Sequence, residues 1–202
     1  RIASLKMSLI TRPDAVAQLP DIQIFHKAVD WALRHDEFFD PKQVAVAKQL
    51  IDVGLKRADE FAAGKASWDA STGLVARAYC SKIDGSIQPY GMIVPEDWKP
   101  GDKKPRPLHF WCHGRGEKLT ELDFLNQRMT NRGEFTPPGA FVLHLYGRYC
   151  CANKFAGEVD LFEALEDARK HYPIDMGRLV VRGFSMGGAS AWQFATHFAS
   201  HW

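Results

Sequence analysis

The sequence has little that would commit it to a membrane, a nucleic acid or a metal. No run of apolar residues is long enough to span a bilayer, and no signal peptide is visible at Arg1. Lys and Arg total 26 against 24 Asp and Glu, and the resulting net charge of +2 is scattered along the chain, so no nucleic acid and no membrane surface is indicated as a partner. The four cysteines, Cys80, Cys112, Cys150 and Cys151, lack the paired C-x-x-C spacing of a zinc site. Nor does a chain of this size need a disulfide framework. They read as structural, with Cys112 a small apolar filler at a strand end. No metal and no cofactor is called for.

What is present is a globular composition. An apolar fraction of 46% and an aromatic fraction of 12% exclude a mostly disordered chain, and 202 residues suffice to bury a sizeable core. Residues 1–20, with Pro13 and Pro20, show no period and read as an extended lead-in. From Asp21 a helical stripe of Phe25, Ala28, Val29 and Ala32 emerges. A second helix starts at Asp40 as N-cap, with Pro41 and Gln43 after it, and its expected buried face is Val44, Ala47, Ile51, Leu55, Ala58 and Ala62; Gly64 stops it. Residues 1–72 thus form an N-terminal helical segment in which nothing looks chemical; His26 and His35 have no second ligand at metal spacing.

Residues 73–202 have a different rhythm. Leu74 to Ile83 and Ile87 to Val94 flank Asp84-Gly85, which predicts two antiparallel strands joined by a two-residue hairpin, and Pro89 points to a sheet edge or a bulge. Strands at Leu108 to Cys112, Ala140 to Leu145 and Arg178 to Arg182 then alternate with helices at Thr120 to Met129 and Asp160 to Tyr172. The order predicts an α/β fold with a mostly parallel sheet and helices on both faces.

The chemistry concentrates at Gly183-Phe184-Ser185-Met186-Gly187-Gly188. This G-x-S-x-G follows the apolar run Leu179-Val180-Val181 and precedes a helical pattern of Ala189, Ala191, Trp192, Ala195 and Phe198. A serine between strand and helix is what a nucleophile elbow requires: the turn is tight, and small residues two before and two after let strand and helix approach. Acyl transfer also needs two donors for the oxyanion. Here they are expected from the backbone N–H of Met186 and from Gly114 or Arg115 in His113-Gly114-Arg115-Gly116, the loop after the third strand. The plainer reading of that loop, a glycine turn with a structural histidine, weakens once Ser185 is placed beside it.

Trp111-Cys112-His113-Gly114-Arg115-Gly116, Tyr146-Gly147-Arg148, the stretch from Gly157 to Leu165 and Arg182 to Gly188 together resemble bacterial α/β-hydrolases of the prolyl oligopeptidase (S9) type, more narrowly the peptidases and esterases of that group that carry G-F-S-M-G-G. The resemblance covers residues 74–202. It implies an α/β-hydrolase fold, Ser185 as nucleophile, and a peptide or ester substrate. A carboxylic ester hydrolase of the acetylxylan or feruloyl esterase kind, and a non-catalytic binding member of the fold, are the alternatives. Arg148 is a candidate to orient a substrate carboxylate; an ion pair with Glu158 or Asp160 that pins its loop is the competing reading.

In this fold the triad runs in chain order Ser, Asp or Glu, His. Met186 to Trp202 contains neither Asp nor Glu, and His197 and His201 sit on or just after the helix leaving the elbow, too close along the chain to return over Ser185. The expectation is an N-terminal part of a hydrolase, truncated after the nucleophile helix, with the serine strand at an exposed edge and the acid and base beyond Trp202. The chain begins with Arg rather than Met; if an N-terminal signal has been lost, a secreted or periplasmic location is favoured.

Overall fold

The computed structural model describes residues 13–202. The stretch 1–12 of the expected lead-in lies outside them. Where the lead-in is described it is not extended: Pro13–Gln18 is a turn of 3-10 helix that runs into α1 (Pro20–Arg34). Helix α2 spans Lys42–Ala62. Its start is the capping box that the sequence signals. Asp40 Oδ1 accepts from Lys42 N at 2.8 Å, while Gln43 Oε1 accepts from Phe39 N and Asp40 N at 2.6 and 3.0 Å. Gly64, with φ of 76°, takes the left-handed turn that ends the helix.

The buried face of α2 corrects the expectation. Gln43, Ala47, Leu50, Ala58 and Phe61 are buried, whereas Val44 is 49% and Leu55 40% exposed. The capping glutamine turns its own side inward, where its Nε2 also donates to Asp123 at 2.5 Å, and the stripe rotates by about one residue relative to the apolar count.

Then come β1 (Gly73–Cys80), β2 (Ile87–Val94), β3 (Arg106–Cys112), α3 (Glu121–Thr130), β4 (Phe141–Leu145), α4 (Ala156–His171), β5 (Ile174–Gly183) and α5 (Met186–His197). The sheet order is β1-β2-β4-β3-β5; β1 with β2 and β2 with β4 are antiparallel, while β3 with β4 and β3 with β5 are parallel. Four strands therefore point one way and only β2 is reversed. This is the expected α/β class, a mixed five-stranded sheet between helical layers. Pro89 pairs with Ala78 on the β1 side, but pairing with β4 begins only at Tyr90, so the proline's missing donor faces no strand there.

The β1–β2 connection is longer than a two-residue hairpin. Ser81 N donates to Ser86 O at 2.8 Å and Gly85 N to Ser81 O at 2.9 Å, closing a loop around Lys82 to Gly85. Asp84 is not free to serve as a bare turn residue, because its Oδ1 accepts from Ser86 N at 3.0 Å.

Two apolar clusters cover the sheet. One joins Ile24, Phe25, Ala28 and Ala32 of α1 to Leu50 of α2, Ala76 and Ala78 of β1, and Leu122 and Leu125 of α3. The other joins Tyr90, Met92, Leu108, Phe110, Phe141 and Leu143 to Leu161, Leu165 and Ala168 of α4 and Phe194 of α5. Each fully buried Leu, Ile, Phe or Met side chain among them contributes about 1.5–3 kcal/mol through loss of water contact. Strand β5 is the outer strand beyond β3, and Trp192 on the helix after it is 75% exposed.

Candidate active site

The elbow follows from how β5 leaves the sheet. Leu179, Val180 and Val181 pair in parallel with Leu108, His109 and Phe110, and the last rung sets Gly183 opposite Cys112. One residue later Phe184 N donates to Cys112 O at 3.2 Å, and then the chain reverses at Ser185, with φ of 52° and ψ of −115°. A serine held there carries strain of about 1–3 kcal/mol, which the surrounding packing must hold in place. Gly187 N and Gly188 N donate to Phe184 O and Ser185 O at 2.8 and 2.9 Å, which starts α5 at once.

The flanking glycines are required by contact. A Cβ on Gly187 would lie 2.7 Å from His113 O and closer still to the carbonyl of Cys112, and one on Gly183 would lie 2.9 Å from Gly188 N. All the obstructing atoms are backbone, so nothing can swing aside. The result is a serine side chain presented at the exposed tip of the turn.

The two loops expected to supply donors do meet at this point. Gly114 lies against Phe184, since a Cβ there would be 3.0 Å from Phe184 Cδ1. Met186 N–H is the first donor of α5 and has no acceptor among the described residues. Its position at a helix N-terminus places positive dipole beside Ser185. The Arg115 side chain turns outward to Glu117 at 2.9 Å, so only its backbone belongs near the elbow.

His113 ties loops together. Its Nδ1 lies 2.7 Å from Gly114 O and its Nε2 2.9 Å from Tyr146 O. With a carbonyl oxygen within 3 Å of each ring nitrogen, it is a brace between the loop after β3 and the loop after β4. Further braces escaped the sequence analysis: Cys150 Sγ accepts from Gly116 N at 3.4 Å and donates to Gly116 O at 3.2 Å, and Tyr149 Oη donates to Glu117 O. No spacing rule links residues that far apart in the chain.

Arg148 follows the ion-pair reading. Its Nε donates to both oxygens of Asp160 at 3.1 and 3.0 Å, Nη1 to Asp84 at 2.7 Å, and Nη2 to Ser81 Oγ at 2.9 Å. The guanidinium pins the loop after β4 to the β1–β2 loop and to Asp160 of α4. His197 sits in the last turn of α5, and the His201 ring packs on Phe162 at 5.3 Å. Neither bonds to Ser185, and no side chain among the described residues hydrogen-bonds Ser185 Oγ. The four cysteines are free thiols; burial pushes Cys112 up to about 12, which leaves it inert. Among the described residues no cluster of three metal-ligating side chains occurs.

No family model matches this sequence, and no curated protein matches it. Solved structures do. The chain is similar to a thermostable esterase (22% identity, TM-score 0.46, covering 64% of this chain and 39% of that one). It is also similar to FphF, a fluorophosphonate-binding serine hydrolase of Staphylococcus aureus (17%, 0.48, 65% and 55%). A third is the ferric enterobactin esterase of Salmonella typhimurium (20%, 0.41, 66% and 36%). The chain thus spans between about a third and just over half of the length of these structures.

Proposed function

We propose that the protein to which these residues belong is a serine hydrolase, with Ser185 as nucleophile and the backbone N–H groups of Met186 and of Gly114 or Arg115 as oxyanion donors. One observation carries the reading: Ser185 has φ of 52° and ψ of −115° at the junction of β5 and α5, between glycines that only a missing Cβ allows. Phe155, before α4, has nearly the same φ and ψ, 55° and −124°, so strain alone does not mark a site; what sets Ser185 apart is that its strained turn presents an exposed hydroxyl between two glycines that the contacts require.

The reaction class is acyl transfer. Ser185 Oγ attacks the substrate carbonyl, its proton passes to a base, and the oxyanion forms against the two loops. Since nothing described bonds to Oγ, the base and the acid that orients it belong, on this proposal, to parts of the protein outside these residues. The prolyl oligopeptidase type rests on the motif resemblance; peptide and ester cleavage share every step named here.

Ester and peptide are separated by offering the full-length protein a p-nitrophenyl ester and a p-nitroanilide of the same acyl group. Turnover of either that falls about a thousandfold or more in Ser185→Ala supports the proposal. Turnover that survives the substitution, or its absence on both in folded protein, sinks it in favour of a binding member of the fold.

A further inference from the structure

Three arginines are buried among the described residues: Arg77, Arg106 and Arg128. Arg77 pairs with Asp21 and Asp69, and Arg106 with Asp97 and Asp102. Arg128, on α3, is 8% exposed and has no carboxylate partner among the described residues. Its one hydrogen-bond partner is a histidine: Nη1 lies 2.6 Å from Nδ1 of His144 on β4.

Burial and the charge of Arg128 hold His144 well below the ordinary imidazole range. A guanidinium N–H can only donate, so Nδ1 must be unprotonated and the ring neutral. It accepts at Nδ1 and carries its hydrogen on Nε2, which is buried without an acceptor. Arg128 Nε is likewise buried without an acceptor, and Nη2 has no partner among the described residues. Burial brings Arg128 down to about 10, the response of a cation with no anion beside it. A buried guanidinium is costly without a counter-ion, and the other two have theirs.

Arg128 Nε and His144 Nε2 are sealed from solvent, so of these groups only the outer guanidinium nitrogens of Arg128 can meet a ligand. Arg128 and His144 line a cavity of about 220 Å³ whose wall also includes His113, Gly114 and Phe184, the residues that brace and flank the elbow. At about 30 Å³ per water, this is room for a small organic group. Glu134, the acidic residue on the wall, is exposed and makes no ion pair with Arg128.

We infer that this cavity is a carboxylate subsite, in which Arg128, oriented by His144, binds a free acid group carried by the substrate on the part that lies beside the elbow. The inference rests on the serine-hydrolase reading for the word substrate, and names its class: a molecule that carries a free carboxylate as well as the carbonyl to be attacked. Two sources share that chemistry, a half-ester of a dicarboxylic acid and the C-terminal carboxylate of a peptide.

The test uses full-length protein carrying Ser185→Ala, so that nothing is turned over, and isothermal titration with monomethyl succinate, dimethyl succinate, N-acetyl-alanine and N-acetyl-alanine amide. At least one acid should bind about tenfold or more tighter than its neutral counterpart, a charged hydrogen bond's worth. Arg128→Met should abolish the preference and Arg128→Lys retain part of it, with thermal melting confirming that each variant is folded. Preference for the succinate half-ester assigns the site to ester acids, and preference for the acetyl amino acid to peptides. If neither acid is preferred over its neutral partner, a comparison that needs no Arg128 variant, the inference is overturned; so it is if the preference survives Arg128→Met. Binding is read without catalysis, so failure here leaves the assignment of Ser185 standing, and failure of Ser185 to react leaves this result standing.

Discussion

Asp21, in the first turn of α1, and Arg77, in the middle of β1, form an ion pair at 2.9 Å with side-chain exposures of 1% and 0%. The same carboxylate accepts from Ala78 N at 2.7 Å and Trp68 Nε1 at 3.0 Å, so one side chain fastens α1, the Ser67–Ala70 turn and β1 together. Removing it leaves the buried guanidinium with Asp69 as its one carboxylate and takes the acceptor from Ala78 N and Trp68 Nε1. Asp21→Ala is expected to cost about 3–5 kcal/mol, read as a lowered urea midpoint. A loss below about 1 kcal/mol would mean that Asp69 alone can satisfy Arg77.

Asp69, the second partner of Arg77, should lose its contribution to stability in acid. Burial raises Asp69, but the hydrogen bond from His171 and the charge of Arg77 outweigh it and bring Asp69 down to about 2 from an ordinary 3.8. A depressed carboxyl contributes stability that is present above about pH 4 and is lost as pH falls toward 2, because the unfolded chain takes up the proton first. The expected contribution is about 2 kcal/mol. Unfolding free energy measured from pH 5 to pH 2 should fall less steeply in Asp69→Asn than in the parent; parallel curves would contradict the assignment.

The elbow should not tolerate a methyl group. Gly187→Ala places Cβ against the carbonyls of Cys112 and His113, neither of which can rotate away. A destabilisation of about 3 kcal/mol or more is expected by chemical denaturation. Gly85→Ala is the contrast: nothing lies within 4 Å of its Cβ, and only its φ of 70° opposes the change, at about 1 kcal/mol.

Arg148→Ala separates a pin from a ligand. With its guanidinium bound to Asp160, Asp84 and Ser81, the loss should appear as about 1–3 kcal/mol of stability. The KM of any hydrolytic activity, measured well below the melting temperature, should move less than about threefold. A large KM change at unaltered stability would restore Arg148 as a substrate group.

How far the sequence reached is clear from particular residues. The elbow was legible because it is local: strand, G-x-S-x-G and helix occupy consecutive residues, and the glycine spacing states the contact directly. The strand and helix order was legible for the same reason. Asp21 was read as one more residue at a helix start, because its partner Arg77 lies in another element and burial of a charge leaves no periodic trace. Arg128 lies within the expected helix Thr120 to Met129, and nothing in the sequence singles it out. Only the fold shows it lying over Gly91 of β2, without an acid, beside a neutral histidine. The α2 stripe slipped because Gln43 counts as polar by type and is buried by its bonds.

The most direct measurement is labelling of the full-length protein with a fluorophosphonate probe, followed by peptide mapping. The account predicts a single adduct on the peptide containing Ser185, absent in Ser185→Ala. Folded protein that takes no label, or that carries it on another residue, would contradict the central claim that the strained serine at the β5–α5 junction is an activated nucleophile.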